Sequence, residues 1–245
     1  MEFYAHLNKD QKELLIDHLK KTGKLAEQFS SEFGYGKLGL QLGLLHDVGK
    51  HTERFQKVLQ RQLKKIDHAV VSAECYADLA DQSICDDDFI YLMICNCLNA
   101  HHSILRGEFK DPGFDGVYPL PDHYDLAFTD DRGKQNALSS EEEYQTILDF
   151  IEENHLILPL TKQDMPDTEA MSIGEKIVRM MQSCLVDADY SSAAAFEDPE
   201  YAKTVEDRSL DPDALLKQLS DYHERLVQST DPENEMNQLR NRVYH

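Results

Sequence analysis

The stretch Leu44-Leu45-His46-Asp47-Val48-Gly49-Lys50 closes an apolar run that begins at Leu38, and its reading decides what the rest of the chain is for. The run reads as helical, and the helix is expected to continue to about Lys50. A neutral imidazole and an ionised carboxylate are both good ligands for a hard-to-borderline divalent metal. Neighbours on a helix point about 100° apart, so His46 and Asp47 can face one cavity from different positions. The carboxylate could then bridge two ions while the imidazole holds one. Lys50 follows one turn after His46 and can bring an ammonium to a substrate phosphate, and Gly49 would let that substrate approach the backbone. A His-Asp pair is common by itself, so its weight comes from the other histidines.

Outward from this stretch, helical periodicity recurs and strand signals are poor, which predicts an all-α fold with a metal site between helices. A first helix is expected from about Lys9 to Ser30, capped by Asn8, with Leu15, His18, Leu25 and Phe29 as its apolar stripe. A short helix follows around Phe55 to Leu59. Asp67 is a natural N-cap for a helix from His68 to Leu79, whose stripe is His68, Val71, Cys75 and Leu79. The helix from Asp88 to Asn99 carries Ile90, Ile94, Cys97 and His101 on one stripe, and Tyr91, Cys95, Leu98 and His102 on the next. Residues 103–140 hold several prolines, glycines and aromatics and read as a long loop bordering the site. Ser140 caps a helix to Asn154. The longest helix, Thr168 to Phe196, aligns Ile173, Ile177, Met181, Leu185 and Asp189 on one face. Asp189 is therefore the inward carboxylate, with Asp187, on another side, as the alternative. An acidic segment with two prolines, 197–212, leads to final helices at Asp213–Val227 and Glu233–Tyr244.

The chain has 245 residues, 41% of them hydrophobic, enough for a sizeable core. It lacks an apolar run long enough to span a bilayer, and its first residues lack the basic start and apolar core of a signal peptide. Five cysteines without CxxC spacing read as reduced thiols, the pattern of a cytoplasmic protein. With 25 Lys and Arg against 46 Asp and Glu, the net charge is −21. Most of such a surface repels a polyanion, so weak nucleic-acid binding with a shallow salt dependence is expected.

Separate helices thus aim His18, His46, Asp47, His68, His101, His102 and Asp189 inward. One histidine on an apolar stripe is more often a hydrogen-bonded core residue than a ligand. A whole set is harder to bury, because each unpaired ionisable group costs several kcal/mol. Lys50 is the main cation at hand, and one or two divalent metals would satisfy the set together. Taking Asp47 out of such a crowded, metal-free cluster is expected to relieve repulsion and spare the fold. His6, His51, His123, His155, His223 and His245 fall in loops or on polar faces and carry no ligand role in this reading.

The order H…HD…H…HH…D resembles the HD superfamily of metal-dependent phosphohydrolases. Tyr4-Ala5-His6, Asp17-His18-Leu19, Gly43 to Lys50, Phe55-Gln56 with Leu59, Asp67-His68, Ala100-His101-His102 and Leu185-Val186-Asp187-Ala188-Asp189 narrow the likeness. Together they look like the HD nuclease domain of the CRISPR-associated helicase–nuclease of type I systems, over roughly residues 4–196. The chain departs from that family after Asp67-His68, where Ala69 and Ser72-Ala73 replace the usual serine and Gly-Ala. The resemblance implies a globular HD-domain helical bundle over 1–196 and a C-terminal helical extension over 197–245, in which Asn237-Gln238-Leu239-Arg240 is similar to the segment that leads to a helicase domain. It implies a metal-dependent nuclease, endonuclease and 3′→5′ exonuclease, acting on single-stranded DNA. His18, His46, Asp47, His68, His101, His102 and Asp189 would hold one or two divalent ions (Mn, Ni, Co, Mg or Fe), with Asp47 and Lys50 catalytic. Its partners would be a helicase domain or subunit and the CRISPR RNA-guided surveillance complex. No phosphate-binding GxxxxGK(S/T) loop is present in the chain itself. The alternative is a dimetal phosphodiesterase or nucleotide phosphohydrolase of the same superfamily.

Overall fold

The computed structural model describes residues 2–8, 11–64, 66–80, 84–103, 138, 140–164, 171–198, 200, 211–229, 234 and 237–238. It is all-α apart from one short hairpin and an isolated bridge between Cys85 and Leu160. The hairpin lies where the first helix was expected to begin. β1 (Tyr4–Leu7) pairs antiparallel with β2 (Lys12–Leu14), and α1 covers Leu15–Ser31. The reason is local. Asn8 Oδ1 accepts from the Gln11 amide at 2.7 Å, and Asn8 N donates to Gln11 O at 3.1 Å. The side chain read as a helix cap therefore closes a turn, the other use of asparagine. Gln56 ties the hairpin down. It accepts from Tyr4 N at 3.1 Å and donates to Tyr4 O at 3.1 Å and Lys50 O at 3.2 Å.

α1 crosses α2 (Gly36–Leu45) through small residues. A Cβ on Gly43 would lie 2.5 Å from Gly23 Cα, and one on Gly39 would lie 2.4 Å from Ala26 O. The two backbones touch at these points. The buried face of α1 is accordingly Leu15, His18, Leu19, Thr22, Gly23, Ala26 and Ser30. It is rotated from the expected stripe, and Leu25 and Phe29 are only half-buried, because the close crossing selects small side chains over large apolar ones.

α2 stops at Leu45, earlier than expected. His46 still has helical dihedrals (φ −52°, ψ −34°), Asp47 leaves them (φ −116°, ψ 11°), and Val48–Lys50 forms a 3-10 turn. α3 (Glu53–Leu59) is capped by Thr52 Oγ1, which accepts from Phe55 N at 3.0 Å. α4 covers Ala69–Leu79, and the residue directly before it is His68, one on from the expected cap Asp67. α5 (Asp88–Ala100) starts on Asp87, whose carboxylate accepts from the Phe89 and Ile90 amides at 3.0 Å. Ser140 caps α6 (Glu141–Glu153), and α7 covers Met171–Glu197. Leu19, Leu42, Leu45, Val71, Ile94, Leu98, Met181 and Leu185 meet in one core, together with four of the five free cysteines.

The chain divides into two compact units, Met1–Ala202 and Lys203–His245. In the second, α8 (Pro212–Ser229) exposes Leu215, Leu219, Tyr222 and Leu226. The expected loop over 103–140, apart from Ser103, Leu138 and Ser140, lies outside the described residues, as does the expected helix over 233–244 apart from Asn234, Asn237 and Gln238. No helix of the described residues is long and apolar enough to cross a membrane.

Candidate metal centre

Every residue singled out as a ligand in the sequence arrives at one place, and Asp47 is its centre. His18 comes from α1, His46 and Asp47 from the unwinding end of α2, His68 from the residue before α4, His101 and His102 from the end of α5, and Asp189 from the inner face of α7. Asp187, the alternative, is exposed. The early end of α2 matters here. A continuing helix would carry Asp47 around the axis, whereas the departure from helical dihedrals presents both of its oxygens to the cavity.

The two oxygens face different groups. Asp47 Oδ2 lies 3.3 Å from His18 Nε2 and 3.3 Å from His46 Nε2. Asp189 Oδ1 lies 3.3 Å from each of the same two nitrogens, which are 3.3 Å apart. Five of the six separations among these four atoms are therefore 3.3 Å, and two imidazole nitrogens with two carboxylate oxygens are the donor types that a divalent transition metal takes as ligands. Asp47 Oδ1 lies 2.9 Å from His68 Nε2 and 3.4 Å from His101 Nε2, and His102 Nε2 is 3.0 Å from His68 Nε2. The side chains thus form two groups able to hold an ion, His18–His46–Asp47–Asp189 and Asp47–His68–His101–His102, with Asp47 shared.

The surroundings fit this use. His46 Nδ1 donates to Gly43 O at 2.9 Å and His101 Nδ1 to Leu98 O at 2.7 Å, which leaves each Nε2 directed at the cavity. Asp47 is fully buried and held at ion-pair distance by Lys50 and the facing histidines, with no hydrogen bond of good geometry at either oxygen, and His101 Nε2 has no hydrogen bond of good geometry either. Buried polar atoms without such bonds are rare and call for an explanation, and a divalent cation supplies one. Lys50 Nζ is 2.5 Å from Asp47 Oδ2 and 5.4 Å from the Phe55 ring centre. His102 is exposed, which places the open side of the centre at the end of α5.

Gly49 serves packing. A Cβ there would lie 2.2 Å from His68 O, and the Gly49 amide donates to Ser72 Oγ at 3.1 Å. It lets the 3-10 turn sit against the start of α4 and so sets His68 beside Asp47; its bare side faces protein, not substrate as expected. Ser72 also donates to His68 O at 3.3 Å and so supports a candidate ligand. His51 lies in the loop before α3 as expected, but it and His6, which is on β1, are half-buried rather than on polar faces. His51 stacks between Phe3 and Phe150, with centroids at 3.9 and 4.2 Å, and His6 packs against His18 at 4.8 Å. Glu13 was missed altogether. It is buried on β2 beside His18, and the Asn-Lys-Asp turn signal at residues 8–10 was the available clue to the hairpin that carries it.

The electrostatics of the centre favour a cation. Burial pulls His18 and His46 down, but hydrogen bonds and charge from Asp189 and Asp47, aided at His18 by Glu13, outweigh it and push them up to about 10 and about 9. Burial raises Asp47 and Asp189, but the facing histidines, and at Asp47 also Lys50, hold both well below the usual carboxylate range. His6, His51 and His68 are pushed down to about 4 and His102 to about 3, chiefly by burial. The signs define a stability profile for the metal-free protein. The raised pair contributes fully below 6.5, the ordinary histidine value, and its contribution is lost as pH rises toward 9 and 10. The lowered four contribute above 6.5, and theirs is lost as pH falls toward 4 and, for His102, toward 3. Chelator-treated protein should therefore melt at its highest temperature near pH 6.5 and lose stability on both sides. A melting temperature still rising at pH 9 would contradict the proton-holding geometry at His18 and His46.

No family model matches the chain, and none of the curated proteins compared with it does.

Proposed function

We propose that this chain is a metal-dependent nuclease that cuts single-stranded DNA, similar to the HD nuclease part of type I CRISPR helicase–nucleases. The observation that carries the reading is the buried Asp47, with one oxygen turned to His18 and His46 and the other to His68 and His101. One or two divalent ions, of the Mn, Ni, Co, Mg or Fe class, would be held by these residues with His102 and Asp189. Such ions supply Lewis-acid polarisation of a phosphodiester and a more acidic attacking water. Asp47 orients both halves of the centre. Lys50, held at Asp47 Oδ2, keeps positive charge where a phosphate would develop negative charge. The ligands are buried except at His102, so an extended single strand reaches the site more easily than a duplex.

Grip on the strand is limited. A groove lined by Lys12, Lys20, Lys21 and Lys24, with Phe196, also carries Glu13 and Asp17, and Lys21 is paired with Glu13, so it gathers only modest positive charge on an acidic chain. Four lysines would give a salt slope no steeper than about −3 for a single strand. Delivery then falls to a partner, a helicase domain or subunit recruited by an RNA-guided surveillance complex in the cytoplasm. The apolar stripe of α8 is a surface such a partner would cover.

The test is one substrate panel. Circular single-stranded DNA should be cut with Mn²⁺, Ni²⁺ or Co²⁺, double-stranded DNA poorly, and neither in chelator. Fast turnover of nucleotides or cyclic dinucleotides with DNA untouched would replace this reading by a superfamily phosphodiesterase.

A further inference from the structure

Beside the metal centre, on the side away from the cavity, lies a buried carboxylate that the chemistry above does not use. Glu13 on β2 has a side chain only 3% exposed. Its Oε1 accepts from Lys21 Nζ at 2.6 Å, and its Oε2 turns inward, 3.4 Å from His18 Nδ1 and 4.0 Å from His6 Nε2. The lysine alone does not account for this placement, because its own side chain is 58% exposed. A surface lysine can pair with a carboxylate that stays in solvent, whereas taking the carboxylate inside costs several kcal/mol unless a buried donor answers it. His18 is the buried group at ion-pair distance, with Nδ1 3.4 Å from Oε2, which has no hydrogen bond of good geometry.

We infer that Glu13 is a positioning residue: it holds His18 in the tautomer and orientation in which Nε2 serves the ion. Among the described ligands this arrangement is distinctive. His46 and His101 direct Nδ1 at neutral backbone carbonyls, whereas His18 Nδ1, hydrogen-bonded with Ser192 Oγ at 3.3 Å, also has a charged oxygen, Glu13 Oε2, at 3.4 Å. A carboxylate behind the ring fixes which nitrogen carries the proton and makes the other a stronger donor to a metal. Lys21 holds the far oxygen, and the His6 ring, edge-on to His18 at 4.8 Å and stacked on Phe196 at 5.7 Å, walls the pocket. The chain of contacts runs Lys21–Glu13–His18–ion, from the surface to the cavity. Glu13, His6 and His18 also lie close enough to hold an ion of their own, but His18 would then have to bind metal through both nitrogens. The second role is therefore an outcome of the test, not the proposal.

The inference rests on the metal-centre reading, and the experiment separates the two. Mn²⁺ is titrated calorimetrically into chelator-stripped full-length protein, as wild type, Glu13→Gln and Glu13→Ala. Each metal-free protein is melted, and its histidine tautomers are read by ¹⁵N NMR. Glu13→Ala should weaken the binding step that involves His18 by about 10–100-fold, with the stoichiometry unchanged. Glu13→Gln keeps an acceptor but no charge, so it should lie between the two and keep the Nδ1–H signature of His18. If Glu13→Ala does not fold, Glu13→Gln decides: affinity equal to wild type overturns the inference. Loss of one whole equivalent of Mn²⁺ in folded Glu13→Ala overturns it too, since Glu13 would then be a ligand. Wild type that binds no Mn²⁺ sinks the metal centre itself. Wild type that binds metal but leaves DNA intact sinks only the nuclease reading.

Discussion

Asp47→Ala should abolish metal-dependent cleavage and also destabilise the metal-free protein. The first effect follows from sharing: each of the two ligand groups contains Asp47, so its loss weakens both together. The second reverses the expectation drawn from sequence, in which removing a carboxylate relieved repulsion. In the fold Asp47 is fully buried and faces Lys50 at 2.5 Å, with four histidine nitrogens within 3.4 Å. The site therefore repels cations from one another once Asp47 is gone. His18 and His46 can release protons, but the Lys50 ammonium remains, only 6% exposed. Stranding one member of a buried pair costs about 3–5 kcal/mol, a fall of roughly 6–20 °C in melting temperature for a chain of this size. Asp47→Ala with Lys50→Met should regain much of the stability and none of the activity. Cleavage surviving in Asp47→Ala at saturating Mn²⁺ would remove Asp47 from the centre. Metal-free Asp47→Ala as stable as wild type would mean that the Lys50 pair has no energetic weight.

Gly43→Ala should be strongly damaging for a change of one methyl. Its Cβ would meet Gly23 Cα at 2.5 Å, Gly23 N at 2.6 Å and Thr22 C at 2.8 Å, all backbone atoms that no rotamer change can move. The helices must separate, at a cost of about 1–3 kcal/mol for overpacking. The function is hit as well. His18 and His46 sit one turn from this crossing, and their nitrogens are 3.3 Å apart because of it, so the Mn²⁺ affinity of the group they share should fall with stability. Gly36→Ala is the contrast. There the one severe contact is with Ser31 Oγ and is relieved by turning that exposed side chain away from Glu27 O, so the loss of stability should be small and metal binding should stay near wild type. Equal melting temperatures and metal affinities for Gly43→Ala and wild type would show that the crossing is looser than its geometry.

Much of the centre was legible along the chain, for a local reason. A helix repeats about every 3.6 residues, so an apolar stripe names the residues that turn inward before any partner is known. Ile177, Met181 and Leu185 sufficed to choose Asp189 over Asp187, and Ile90, Ile94 and Cys97 to point His101 at the core. The all-α class followed from the same signal. What only the tertiary structure decided are the places where two segments compete for one space. The stripe of α1 turned toward Gly23 and Ala26 because α2 brings glycines there, which the α1 sequence does not reveal. Asn8 closed a hairpin because Gln56, far along the chain, holds that hairpin's backbone. Glu13 became a buried neighbour of His18 by the same route. Lys50 was visible as a cation, but its pairing with Asp47 depends on α2 ending at Leu45 and the chain tightening into a 3-10 turn. Local periodicity reports which way a side chain faces, and long-range contacts decide what it finds there.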